Sequence, residues 1–216
     1  MRLPYLLSGL LLSAGPAFCQ PFSFGLRGGV PMTDFLSTVR SGNFNFTSNT
    51  NRYIVGPTAE LRLPFGFGLE ADILYRHFSY TGSGGITGIT TTLLSSSTTS
   101  NAWEFPLLAK YRLPGKVIHP YVAGGVAWDT LSGLTQAVTR TVAGITSKTT
   151  TSNPPELGNS TSRGFVLGAG ISVKVLVIHI SPELRYTRWG AKHFLDPNGG
   201  LSSNQNQAEF LVGFTF

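Results

Sequence analysis

The last eight residues, 209–216, set bulky apolar side chains at Phe210, Val212, Phe214 and Phe216 against Glu209, Leu211, Gly213 and Thr215. Alternation at period two builds a strand with two chemically different faces. One such strand constrains little, because a soluble core also buries an apolar face. Here seven earlier segments repeat it: 21–30, 52–63, 65–80, 102–113, 120–131, 162–173 and 177–189. A chain patterned this way from end to end is all-β.

The charges obey the same parity. Six of the ten acidic residues, Glu60, Glu70, Asp72, Glu104, Glu183 and Glu209, fall opposite the apolar face, and so do Arg27, Arg62, Arg76, Lys110, Arg112 and Arg185. Only 120–131, rich in Gly and small residues, leaves its facing open. The connections also keep a rhythm. Long polar stretches at 33–51, 81–101, 132–161 and 190–204 alternate with short links at 64, 114–119 and 174–176. Short periplasmic turns, long extracellular loops and two periplasmic termini are the plan of a bacterial outer-membrane barrel. Within the third stretch, renewed alternation over 135–145 extends the barrel beyond the membrane.

Residues 1–19 read as a cleaved secretory signal peptide, with Arg2 as the basic region, 3–12 as the apolar region and Ala17-Phe18-Cys19 as the cleavage site. The alternative, a lipid attached at Cys19, is opposed by the bulk of Phe18 before it. Cleavage leaves 20–216 as one barrel with four long extracellular loops and without cysteine, so no disulfide supports the fold. Apolar runs are too short for helical membrane spans. The net charge of +6 comes with no basic run or basic-aromatic cluster, which excludes a nucleic-acid footprint.

Parity groups the charges without saying which face is inside. A soluble barrel of the lipocalin kind would line its cavity with the apolar face. Three arguments put the charges inside instead. Tyr53, Tyr75, Trp103 and Tyr111 sit near strand ends, as interfacial girdles require. Bulky side chains from every strand would overfill a narrow lumen. Strands in lipid must also satisfy their backbone by closing. The expected fold is an eight-stranded antiparallel up-and-down transmembrane β-barrel in the cell outer membrane. Pro57, Pro106 and Pro182 count against regular pairing, since Pro cannot donate to a ladder, and bulges could accommodate them. On this facing, Leu69→Arg on the lipid side is expected to cost more than Glu70→Gln on the lumen side.

The chain resembles the OmpA/OmpX-like family of small outer-membrane β-barrels over essentially all of 20–216. The resemblance is carried by the terminal strand ending in Phe216, by His119-Pro120-Tyr121-Val122-Ala123-Gly124-Gly125 and by Pro182-Glu183-Leu184-Arg185-Tyr186. It implies that Phe216 is the signal read by the barrel-assembly machinery. Activity does not follow from such a fold, which hosts adhesins, resistance factors and small pores. Outer-membrane lipids and lipopolysaccharide are the expected surroundings, and a monomer is expected.

Three sets of residues are candidates for function. The lumen charges Arg27, Glu60, Arg62, Glu70, Asp72, Arg76, Glu104, Lys110, Arg112, Glu183, Arg185 and Glu209 form either a salt-bridged plug or a narrow ion path, and near balance favours the plug. His179-Ile180-Ser181, with Glu183 on the same face, resembles the His-x-Ser of outer-membrane lipid A deacylases. Its lumen facing near the periplasmic end opposes lipid chemistry, so no catalytic residue is assigned. Arg40, Arg52, Arg140, Lys148, Arg163 and Lys192 form a basic rim suited to anionic lipopolysaccharide or host glycans. The histidines His77, His119, His179 and His193 lack metal-ligand spacing, and no cofactor or metal is expected.

Overall fold

The computed structural model describes residues 22–38, 44–48, 51–86, 92–115, 117–195 and 200–216. The leader read at 1–19 and Arg40 of the basic rim lie outside these residues. Eight strands build the wall. They are β1 (Phe22–Pro31), β2 (Ile54–Arg62), β3 (Phe67–Asp72, continued beyond Ile73 by Leu74–Ile86) and β4 (Thr92–Arg112). Then come β5 (Ile118–Val142), β6 (Thr161–Val175), β7 (Ile178–Trp189) and β8 (Asn206–Thr215).

Each strand pairs antiparallel with its sequence neighbour. The ring closes where β1 meets β8, in the register Leu26↔Phe214 and Val30↔Phe210. Phe24 and Phe216 exchange backbone hydrogen bonds of 3.0 and 3.2 Å at this seam. Closure leaves the wall without an unpaired edge, the condition for crossing lipid with strands.

The barrel is inside out relative to a soluble protein. Leu26 is 61% exposed while its neighbour Arg27 is 1% exposed. Phe165, Leu167 and Leu184 likewise point outward, whereas Glu70, Asp72, Lys110, Glu183 and Arg185 are buried. An apolar belt facing out and charges facing in are stable only where the surroundings are lipid. The facing inferred from parity and girdles is the one observed. Among the described residues no helix is long and apolar enough to cross a membrane, so the strands do the crossing.

The strand expected over 65–80 is interrupted twice. Phe65 adopts φ 63 in a 3-10 turn, Pro64–Gly66, and lies in the link rather than the wall. Pairing breaks again at Ile73, beside Pro57, which offers no N–H to the ladder, and Gly56, where a Cβ would fall 1.7 Å from the Ile73 carbonyl oxygen. Ile73 N instead donates to the Pro57 carbonyl at 3.0 Å. Pro182 acts similarly, since the β6–β7 ladder skips from Gly170↔Glu183 to Val173↔Ile180 around it. Pro106 sits in unbroken register opposite Ala127, without the bulge its ring suggested.

Two strands run further than expected, and β5 runs on as its alternation over 135–145 implied. β3 and β4 continue through much of the polar stretch 81–101, and β5 continues to Val142, where strand Ile145–Thr151 folds back on it. Thr and Ser carry these extensions, and β-branched Thr suits a pleated ribbon even in water. The result is a sheet projecting above the membrane, edged by Phe44–Ser48 and Ile145–Thr151. On β5, Tyr121, Ala123, Ala127 and Asp129 face inward, but beyond Gly133 (φ 63) the inward residue is Gln136. A register shift at Thr99/Asn101 faces that glycine region, so the parity change is a bulge.

Candidate functional site

The lumen charges lie in three tiers. The middle tier joins Glu70 and Asp72 of β3 and Glu183 of β7 to Arg27 of β1, Lys110 of β4 and Arg185 of β7. Arg27 holds Glu70 through both ends of its guanidinium, Nη1 to Oε1 at 2.6 Å and Nη2 to Oε2 at 2.5 Å. Arg185 reaches three carboxylates, Asp72 at 2.9 Å, Glu183 at 2.8 Å and Glu70 at 3.1 Å. Lys110 donates to Glu70 and stands 4.4 Å from the centre of the Tyr121 ring, whose hydroxyl donates to Glu183 at 2.8 Å. Glu70 and Glu183 are the two hubs, each within ion-pair distance of Arg27, Lys110 and Arg185. Three acids face three bases, the balance that buried charges require. These six side chains are between 0 and 1% exposed, so water does not reach them.

The lower tier, at the periplasmic mouth, is wetter. Glu60 accepts from Arg112 and from Arg62, the latter at 3.4 Å with its side chain 29% exposed. Replacing Arg62 by Met is therefore expected to cost at most about 1 kcal/mol, the value of a solvated ion pair; chemical unfolding of the refolded barrel measures it. The upper tier places Glu104, Glu209 and Asp129 around Arg76, which approaches Glu209 at 3.4 Å and Asp129 at 3.9 Å.

An apolar cap covers the upper tier. Phe35 and Leu36 come from the first long connection, Phe194 and Leu201 from the last, and Phe78, Tyr80 and Ala102 from β3 and β4. Strand Leu36–Thr38 pairs with Leu201–Ser203, tying the two connections together. The Phe35 ring packs 4.7 Å from Phe78 and also 4.7 Å from the Arg76 guanidinium, so the cap rests directly on the charge network. Phe78 and Tyr80 meet Phe194 edge-on at 5.7 and 5.4 Å. His193 locks the cap to the wall, Nε2 3.1 Å from Asp129 and Nδ1 2.7 Å from the Asn159 carbonyl.

All twelve lumen residues named from parity lie on inward-facing strand positions, and the structure joins eleven of them directly into ion pairs, with Arg62 and Arg112 both on Glu60. Glu104 is buried in the upper tier, with its Oε1 unpartnered among the described residues. Asp129, Tyr121 and His193 were not named. The signal for Asp129 was next door, because Trp128, a girdle-type aromatic, faces outward and turns its neighbour inward. His193 had none, since its role depends on a loop folding back over the mouth. Phe216 is 71% exposed at the seam.

His179 and Ser181 are not joined. The Ser181 hydroxyl bonds to Ser172 at 3.3 Å, and His179 Nε2 lies 3.5 Å from the Arg62 guanidinium. A base beside a guanidinium and a hydroxyl turned elsewhere do not make a nucleophilic pair. Among the described residues no group of three or more His, Cys, Asp or Glu could hold a metal ion.

The family model described as outer membrane protein beta-barrel domain matches residues 16–190. Among solved structures, the chain is similar to the outer membrane protein OprG from Pseudomonas aeruginosa, with a TM-score of 0.52 and 12% identity over 90% of this chain and 92% of that one. It is also similar to Neisserial surface protein A, with a TM-score of 0.42 and 14% identity over 90% of this chain and 94% of that one. At such identities the OprG likeness speaks to fold alone. No curated protein sequence is significantly similar to this chain.

Proposed function

This chain belongs to the outer membrane protein beta-barrel domain family and lies in the cell outer membrane, and from that premise we propose that it is a plugged, non-enzymatic barrel acting through its extracellular surface. The observation that carries the reading is the middle tier, where six buried charged side chains from β1, β3, β4 and β7 close directly on one another. The aromatic cap above it supplies a second closure. An ion crossing this lumen would have to break several charge-assisted bonds at once. With the interior occupied, the parts left to meet partners are the projecting sheet and the loops. In this reading Phe216 serves the barrel-assembly machinery and the mature protein is a monomer.

Conductance of the refolded 20–216 barrel in a planar bilayer tests the plug. Silence is the expected result, with folding verified by heat-modifiable gel mobility. A stable, charge-selective conductance would make the same charges a filter and overturn the reading. The enzyme alternative is tested separately: Ser181→Ala is expected to leave the lipid A acylation pattern of the producing cells unchanged.

A further inference from the structure

Outward positions on the eight strands are almost wholly uncharged. Among the described residues, two permanently charged side chains point out from them, Arg163 on β6 and Arg188 on β7. β6 starts and β7 ends at the extracellular rim, so both arginines lie at that end of adjacent strands. Arg188 pairs with Phe165, and Gly190 N donates to the Arg163 carbonyl at 2.7 Å. The two arginines are therefore diagonal neighbours, roughly 7–8 Å apart at their Cα atoms and within mutual reach of their side chains.

Their surroundings set their depth. Trp128 lies opposite Arg163, Phe165 opposite Arg188, and Tyr186 directs its hydroxyl to Asn206 at 2.8 Å. Tyr186, an amphipathic ring with its polar end toward the rim, marks the outer edge of the hydrocarbon. Arg188 Nη1 donates to the same Asn206 oxygen at 2.5 Å, which holds the guanidinium at that edge and leaves its other donors unused by that amide. No carboxylate lies within ion-pair distance of either arginine among the described residues.

From this arrangement we propose that Arg163 and Arg188 form a clamp for a phosphate on the glycolipid headgroup of the outer leaflet. The fixed anions at that depth are headgroup phosphates, and two planar guanidinium forks match phosphate oxygens in a way that lysines would not. The belt around them accepts the acyl chains, with Phe165 73% exposed and Leu167 65% exposed just below. The clamp sits on the wall of the barrel, apart from Arg140 and Lys148, which lie on the projecting hairpin. It depends on the outer-membrane location and not on the state of the lumen.

The test uses the mature chain refolded in detergent, titrated with lipid A and with fully dephosphorylated lipid A, and read as the shift in heat-induced unfolding. The wild type is expected to bind lipid A at least about tenfold more tightly than the dephosphorylated form, as loss of charge-assisted hydrogen bonds requires. Arg163→Gln/Arg188→Gln is expected to lose that preference, while Arg140→Gln/Lys148→Gln keeps it. A wild type indifferent to the phosphates, or a double Arg163/Arg188 variant that keeps the preference, would overturn the clamp. Loss confined to the Arg140/Lys148 variant would overturn it in favour of the loops. The comparison of the two lipids on the wild-type chain stands even where a variant fails to fold.

Discussion

Replacing Glu70 by Gln is expected to destabilise the folded barrel by about 3–5 kcal/mol, the cost of removing one partner from a buried ionic group. Glu70 accepts from Arg27, Lys110 and Arg185, all essentially without water. The amide keeps the shape but removes the charge, leaving two carboxylates, Asp72 and Glu183, to three cations. Its NH2 group must also point at one of the donors it replaces a partner for. Unfolding of the refolded barrel by denaturant in lipid vesicles measures the loss. The double change Glu70→Gln/Lys110→Gln restores the balance of charge and is expected to recover part of it. A cost below about 1 kcal/mol for Glu70→Gln would show that the network contributes no more than a surface ion pair.

The neighbouring position gives the second large effect. Leu69 is 43% exposed on the outer wall and pairs with Leu61 on one side and Ala109 on the other, all outward. Leu69→Arg is expected to cost roughly 2–4 kcal/mol if the site lies near the bilayer midplane, less toward an interface where the side chain snorkels. The same unfolding experiment reads it, and a thinner-chain lipid should reduce the penalty by bringing the headgroups closer. A stability unchanged by Leu69→Arg would contradict the lipid facing of β3.

These two neighbours show how far local pattern reaches. Parity alone ranks Leu69→Arg above Glu70→Gln, because it sees a charge entering lipid on one face and a polar exchange on the other. The structure removes that ranking, because the expected costs of the two changes now overlap. Glu70 is one lumen carboxylate among several in the sequence, but the fold makes it one of two hubs, with partners 40 and 43 residues away. Nothing local distinguishes it from Glu104, which shares its parity and lacks its partners. Likewise Phe65 continued an alternating pattern in sequence, yet the chain turns there with φ 63.

Period two, the sorting of charges and the spacing of connections are properties of neighbouring residues, so the eight strands, the facing of all but β5 and the membrane location were legible in the sequence by itself. The outward position of Arg163 and Arg188 follows from the same parity. What the tertiary structure decided was register. Which carboxylate meets which guanidinium, which two outward arginines become neighbours, and whether Phe35 and Phe194 close over Arg76 all depend on how strands and loops far apart in sequence are staggered around the ring. Stagger is set by the closure of the whole barrel, and no window of residues contains it.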